Sequence, residues 1–349
     1  MNAAAPAIVE LHNQVLDDLD MTAFAVGWWV SHLDTARRIL VSDYLSQAAI
    51  SVQKNLTEAA LHFLEVLDFS EQESNFMAGA AVRTPQGLAI SVPPPVSPHD
   101  ELPVAMADLH AAGFFRAAVG ALDCLGASIV GVAALRRVIF KCDLRQAQRA
   151  IPDTPSDEGQ ELQNRLGRGV SSVIEAAGPS GWLDWMYDFR NMLVHRGRRT
   201  LMMQLRPRSG RILGPDGLEI IRLEAIQQLP NDPDRSDIEV LLSNEPPVLT
   251  ESATTTLAGL LATVVRVAEE SGRLLLDLWH TRRARPDILR QPAAQWPQGV
   301  ASVSTQFRGF APGSLTYDPR VFYSHPAMSR RMRAAALDDD HRGRWSSFH

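Results

Sequence analysis

Apolar residues recur every three or four positions over most of the chain, which predicts long amphipathic helices. The clearest case is Glu158–Ala177, where the spaced apolar residues form one stripe and Gly178-Pro179 then ends the helix. The other segments with this spacing are Thr22–Phe69, Glu101–Arg137, Trp182–His195 and Ser252–Trp279. A mainly α-helical protein is therefore the predicted fold class.

Two stretches carry the signals of β-strands instead. In Ala80–Val92, the turn residues Pro85–Gly87 lie between two short apolar runs, which is typical of a hairpin. Further along, the runs Leu201–Leu205 and Gly217–Arg222 are separated by glycine and proline, so they predict strands of a small sheet. We expect this sheet as an insertion at about residues 200–250.

These patterns divide the chain into three parts. Residues 1–19 form an N-terminal segment, and residues 20–283 form one helical domain that contains the β insertion. Residues 284–349 are rich in arginine, proline and aromatic residues and show no helical or strand period. We therefore expect an irregular C-terminal extension after the last helix.

Composition and cysteine usage indicate a globular protein of a reducing compartment. The apolar share of 45% against a charged share of 21% is that of a globular chain, which excludes a disordered or fibrous class. Cys124 and Cys142 form no CxxC pair and no zinc-ligand pattern, so neither a metal nor another cofactor is expected. Met1–Glu10 lacks the features of a signal peptide. The predicted location is the cytoplasm.

One segment has almost the length of a membrane span. Ala117–Leu135 lies between two arginines, but it contains Asp123, several glycines and many alanines. This composition is only marginally hydrophobic for insertion into a bilayer. We therefore predict a buried core helix and no membrane partner.

The net charge of −6 conceals a strongly uneven distribution of arginines. From Arg190 to Arg211 there are seven arginines and no acidic residue. From Thr281 to His349 there are 11 arginines and five acidic residues. Basic segments on an acidic chain favour a local anion-binding site, with a solvated surface as the alternative.

The helix predicted for Trp182–His195 has two chemically different faces. On a helical wheel, one side collects the apolar residues Trp182, Trp185, Met186, Phe189 and Leu193. The opposite side collects Asp184, Asp188, Asn191 and His195, with Arg190 at the flank. A helix anchored by aromatic residues is thus expected to present a row of polar side chains.

The sequence around this helix, DFRNMLVHRG, resembles the ribonuclease motif of the HEPN superfamily. That motif is an arginine followed by a polar residue and, after a short spacer, a histidine near a helix end; Arg190, Asn191 and His195 match these places. The match covers about ten residues. The strands and the C-terminal extension are departures from the superfamily pattern, and Gly197 stands where some branches have tyrosine.

The resemblance implies an up-and-down helical bundle whose protomers form a homodimer with facing motifs. It also implies metal-independent cleavage of RNA, often in toxin–antitoxin, phage-defence or other antiviral systems with a partner protein. Histidine suits proton transfer near neutral pH, and a guanidinium can bond two phosphate oxygens. On this interpretation Arg190, Asn191 and His195 are catalytic.

Supporting roles are predicted for residues around the motif. Arg196, Arg198 and Arg199 would hold the flanking phosphates of RNA without reading its sequence. Asp188 lies on the motif's own face, and Asp123 is a carboxylate in an apolar stretch that could orient Arg190 or His195. Pairing of Asp123 with a core arginine is the alternative.

Two other interpretations of the motif stay open. The chain could be a catalytically silent HEPN-type module that binds RNA or protein, although such a module would not need both Arg190 and His195. The motif could also be a coincidence in a structural protein, with His195 simply favoured by the helix dipole. The chain has no phosphate-binding glycine loop, HExxH or GxSxG, so kinases, zinc proteases and serine hydrolases have no support.

Overall fold

The computed structural model describes residues 3–20, 25–30, 35–78, 81–84, 87–90, 102–195, 202–213, 219–233 and 247–290. The described part is mainly α-helical, which confirms the predicted fold class. Its eight α-helices are α1 (Pro6–Asp17), α2 (Gly27–Val30), α3 (Thr35–Ala78), α4 (Leu102–Val132), α5 (Leu144–Arg149), α6 (Glu158–Ala177), α7 (Trp182–His195) and α8 (Ala253–Ala284).

The strands form short antiparallel pairs. They are β1 (Leu19–Asp20) with β2 (Ala25–Val26), β3 (Ala81–Thr84) with β4 (Gly87–Ile90), and β5 (Met202–Leu213) with β6 (Glu219–Gln228). The β5–β6 register pairs Met202 with Gln228 and shifts between Pro207 and Arg211. Strand β3 also lies against β6.

The described residues form two compact units. The first consists of residues from 1–5, 51–122 and 170–270, and the second of residues from 6–50, 123–169 and 271 onward. Because these boundaries fall inside α3, α4, α6 and α8, each of those helices contributes one segment to each unit. Helix α7 and the β3–β6 strands belong wholly to the first unit.

Most residues predicted for the buried helix at 117–135 are buried, although α4 ends at Val132. Within the part of the chain that the structure describes, the stretch Ala105–Val132 has the length and apolar composition of a membrane span. Of its most apolar window, 78% is buried inside the protein. Core helices of globular proteins meet the same criteria of length and composition.

In the second unit, a fully buried arginine binds the carbonyls at the C-terminal end of α4. The guanidinium of Arg282 donates hydrogen bonds to the carbonyls of Gly131 and Val132, and to the carbonyl of Leu289 at 2.9 Å. Burial lowers the pKa of Arg282 to about 9, so the side chain stays charged at neutral pH. The last carbonyls of a helix lack partners within the helix and carry partial negative charge, so they stabilise this cation.

An aromatic cluster lies beside that arginine. The ring of Trp279 lies 4.8 Å from that of Trp28 and 5.7 Å from that of Trp29, and Arg282 lies 6.0 Å from the Trp28 ring. Trp279 Nε1 donates to Asp18 at 2.9 Å, which ties α8 to the end of α1. The N-terminal residues are therefore part of this core.

In the first unit, α3 and α4 pack closely at two glycines. A Cβ at Gly113 would lie 2.4 Å from the imidazole of His62, and one at Gly120 would lie 3.1 Å from Asn55. The room beside Gly113 lets His62 reach across to α4. There Nδ1 of His62 and Nδ1 of His110 form a hydrogen bond of 3.0 Å.

This pair resists a second proton. The hydrogen bond needs one Nδ1 with a proton and one without, so protonating both rings would remove the acceptor and bring two cations together. Burial and the neighbouring His110 lower the pKa of His62, with Arg116 acting in the same direction. Glu58 and Glu65 act in the opposite direction.

We predict that the free energy of unfolding falls as the pH drops below about 6.5, the usual pKa of histidine in unfolded chains. The sign follows because the unfolded chain binds a proton at His62 more readily than the folded chain does. His62→Gln should flatten this dependence, and His280→Gln, at an exposed position on α8, should not. Urea unfolding between about pH 5 and 8 in buffer with EDTA measures the effect. Equal pH dependence in the wild type and His62→Gln would contradict it.

Candidate functional site

Helix α7 starts after a tight turn that joins it to α6. Gly181 has a φ of +82°, a conformation that glycine adopts readily, and the chain turns there into the first residue of α7. Trp182 Nε1 donates to the carbonyl of Ile174 on α6 at 3.1 Å. Side chains of α8 satisfy two of the last carbonyls of α6: Thr263 bonds the carbonyl of Ala177, and Arg266 that of Ala176. The start of α7 is therefore held at several points.

The apolar face of α7 packs on α4. Phe189 is fully buried, and its ring stacks on Phe115 with centroids 4.1 Å apart and planes inclined by 23°. Trp185 lies 5.0 Å from Phe189 and 5.8 Å from Phe115. Its Nε1 donates to the carbonyls of Pro230 and Asn231, at 3.3 and 3.0 Å, just beyond β6. This face is the predicted apolar stripe.

The opposite face of α7 is open to solvent where its side chains are described. Asp184 and Asn191 are exposed, and Asp188 is half-buried. This confirms the predicted amphipathic character of the helix. The wheel places Met192 next to the apolar stripe and Tyr187 towards the polar side, yet both residues are buried. A wider stripe than the sequence indicates therefore anchors α7.

Two of the three predicted catalytic residues are in contact. The guanidinium of Arg190, which is partly exposed, donates from Nη1 to Oδ1 of Asn191 at 3.2 Å. The long arginine side chain therefore curls from the flank of the helix towards its polar face. His195 is the last residue of α7, and its side chain lies outside what the structure describes. Arg196, Arg198 and Arg199 also lie outside the described residues.

The two supporting carboxylates fall in different places. Asp188 is on α7 itself, three residues before Asn191. Asp123 is a half-buried residue of α4 in the second unit, whereas α7 belongs to the first unit. The orienting role of Asp123 stays a prediction.

The polar face of α7 carries a guanidinium and an amide near the C-terminal end of the helix. Arg190 supplies fixed positive charge and several donors, and Asn191 supplies an amide one turn before His195. In the part of the chain that the structure describes, no three His, Cys, Asp or Glu side chains cluster so as to hold a metal ion. Arg190 is the group here that can bond an anion, whereas Asp184 and Asp188 on the same face are acidic.

Comparisons of the chain with protein-family models, with curated proteins and with solved structures found no match.

We predict that the aromatic anchor, rather than the polar face, carries the stability of this region. Phe189→Ala should lower the free energy of unfolding by about 3–5 kcal/mol because it leaves a cavity beside Phe115. Trp185→Phe keeps most of the ring contact and removes the hydrogen bonds from Nε1, so a decrease of about 0.5–1.5 kcal/mol is expected. Urea unfolding measures both decreases. Leu61→Ala, at a side chain that is 60% exposed, is the control and should change stability by less than about 0.5 kcal/mol. A decrease below about 1 kcal/mol for Phe189→Ala would show that α7 is not anchored in this way.

Proposed function

We propose that this protein is a metal-independent endoribonuclease of the HEPN type, with Arg190, Asn191 and His195 as its catalytic residues. The observation that carries the proposal is the placement of the Arg190–Asn191 pair. It lies on the solvent-facing side of α7, one turn before His195, while the other side of the helix is held by Phe189 and Trp185. A helix held on one face can present these groups to RNA.

The proposed reaction uses the RNA's own 2′-hydroxyl as the nucleophile. A base removes the 2′-hydroxyl proton, the 2′-oxygen bonds to phosphorus, and the bond from phosphorus to the 5′-oxygen breaks as an acid protonates that oxygen. The products are a 2′,3′-cyclic phosphate and a 5′-hydroxyl. DNA is excluded as a substrate because it lacks the 2′-hydroxyl.

Each residue has a distinct part in this step. His195 would transfer the protons, and the end of a helix favours the cationic form that it must adopt for part of the cycle. Arg190 would bond the non-bridging phosphate oxygens, where negative charge develops. Asn191 bonds the guanidinium of Arg190 and would hold it towards the phosphate. A second protomer of a homodimer would bring the other member of an acid–base pair.

The proposal also covers the fold of the helical domain and the cellular system in which the protein would act. The helices would form a HEPN-like up-and-down bundle, with β5 and β6 as an insertion and the arginine-rich chain end as an extension. Arg196, Arg198 and Arg199 follow α7 directly in sequence, so they would meet the phosphates on either side of the cleaved bond. The proposed setting is a cytoplasmic toxin or phage-defence system with an antitoxin or another partner protein.

We predict that His195→Ala and Arg190→Ala each lower the rate of RNA cleavage by at least about a hundredfold, while RNA binding stays nearly intact. Asp184→Asn, at an exposed position on the same helix, is the matched control and should cleave normally. Single-turnover cleavage of labelled RNA in EDTA measures the rate, and the product ends should be 2′,3′-cyclic phosphates.

The results of these assays distinguish a ribonuclease from a catalytically silent module and from a coincidental motif. Binding of RNA without cleavage by the wild type would indicate the catalytically silent module. Cleavage by His195→Ala at the wild-type rate would mean that the motif is a coincidence. Cleavage that stops in EDTA, or 3′-hydroxyl products, would contradict the proposed chemistry.

The arginines after α7 should affect affinity instead of the chemical step. We predict that replacing Arg198 and Arg199 by alanine weakens binding to RNAs of different sequence to a similar degree. The slope of log affinity against log salt concentration should fall by about 0.7 for each phosphate of a single strand that the variant no longer neutralises. Filter binding at several salt concentrations measures this slope. Weaker binding of one RNA sequence alone would indicate base recognition instead.

A further inference from the structure

We propose that His62 and His110 form an interhelical site for one divalent transition-metal ion, with Zn²⁺ or Cu²⁺ as the preferred class. The proposal goes beyond the nuclease chemistry and uses none of its residues. Both histidines belong to the first unit, one on α3 and the other on α4. They are 48 residues apart in sequence, and their Nδ1 atoms face each other across the helix pair.

The distance between the two nitrogens suits a shared metal. The Nδ1 atoms lie 3.0 Å apart. Two metal–nitrogen bonds of about 2.0–2.1 Å that meet at a tetrahedral angle hold their nitrogens about 3.3 Å apart. A small rotation of the rings, whose planes are inclined by 55°, would therefore let one ion bind between the two Nδ1 atoms, and the proton of the donating ring would move to its own Nε2. Both side chains are partly exposed, so an ion can reach them from solvent.

The surroundings hold each ring in place. Gly113 leaves the space that the His62 ring occupies, because a Cβ there would lie 2.4 Å from it. Phe69 stacks on His110 with centroids 5.8 Å apart and planes inclined by 26°. Glu58 Oε1 lies 3.8 Å from Nε2 of His62, on the far side of the ring from His110. A carboxylate there favours the proton on Nε2 and leaves the Nδ1 lone pair for the metal, as in outer-shell carboxylates of zinc sites.

The local charges also favour a bound dication. Glu58 and Glu65 on α3 carry the negative charge that offsets a bound dication, whereas Arg116 on α4 opposes it. Of these three charged groups, two are carboxylates and one is a cation, so their net charge is negative.

The site offers two protein ligands. Within the described residues, no third His, Cys, Asp or Glu completes a set of three. Water would fill the other positions, so affinity below that of a four-ligand structural zinc site is expected. Imidazole nitrogen suits Zn²⁺ and Cu²⁺ and is a poor ligand for Mg²⁺ or Ca²⁺, which defines the selectivity.

The test is a titration of the full, chelator-treated chain with ZnCl₂ by calorimetry near neutral pH. Wild type should show one site stronger than the rest. His62→Gln and His110→Gln should each weaken that site by at least about tenfold, and the double variant should bind no more weakly than either single variant. His280→Gln is the control, since it removes an exposed histidine of α8 and should leave the site unchanged.

Two further measurements distinguish a built site from scattered surface histidines. Electron paramagnetic resonance of the Cu²⁺ form should show two coupled nitrogens in wild type. Gly113→Ala keeps both imidazoles but displaces His62, so it should weaken Zn²⁺ binding severalfold. Gly259→Ala is its matched control, because a Cβ there meets nothing within 4 Å. Circular dichroism verifies that each variant is folded.

Two results would contradict the proposed metal site. If each single variant weakens binding in part and the two effects add up in the double variant, the histidines bind metal independently and the proposal fails. It also fails if folded Gly113→Ala binds Zn²⁺ like wild type. RNA cleavage by His62→Gln in EDTA should equal that of wild type, so this test and that of the nuclease proposal can fail separately.

Discussion

Phe189 stacks on Phe115 at a centroid distance of 4.1 Å, and the orientation of the candidate site depends on this contact. A helix can rotate about its own axis unless one face is held. Phe189 and Trp185 hold that face through ring contacts and through the hydrogen bonds of Trp185 to the chain beyond β6. Once this face is buried, Asp184 and Asn191 have to point outwards. The polar chemistry of α7 is thus set by apolar packing on its other side.

The second unit shows how backbone carbonyls can hold a completely buried arginine. Arg282 places its guanidinium on the carbonyls that end α4, where the backbone itself supplies negative potential. Nearby, Asp18 accepts a hydrogen bond from Trp279 and pairs with Arg283 at 3.1 Å. The described arginines thus occur in two settings: Arg282 satisfies a helix end inside the protein, and Arg190 bonds Asn191 at the partly exposed flank of α7.

Sequence patterns predict best those features that depend on residues close together in the chain. The bounds predicted for α6 and α7 are those observed, because Gly178-Pro179 and the apolar spacing act within a few residues. Prediction fails where distant segments meet. The pattern of residues 1–19 indicates only an N-terminal segment, yet Ile8 and Leu11 are fully buried. Arg282 stands at the edge of the arginine-rich extension in sequence, but it lies in a core. The motif on α7 could be found from spacing, but the bond between Arg190 and Asn191 could not.

The histidines show that sequence patterns can miss a pair of reactive groups as well as a packing contact. The motif that ends at His195 is recognisable in sequence because Arg190 and Asn191 stand within five positions of it on one helix. His62 has no such local signal, since its partner is on another helix and the glycine that admits its ring is Gly113. Only the packing of α3 on α4 creates a pair of nitrogens that can share a proton or a metal. A proton and a metal would compete for the Nδ1 lone pair of His62, so metal binding at this site should weaken as the pH falls.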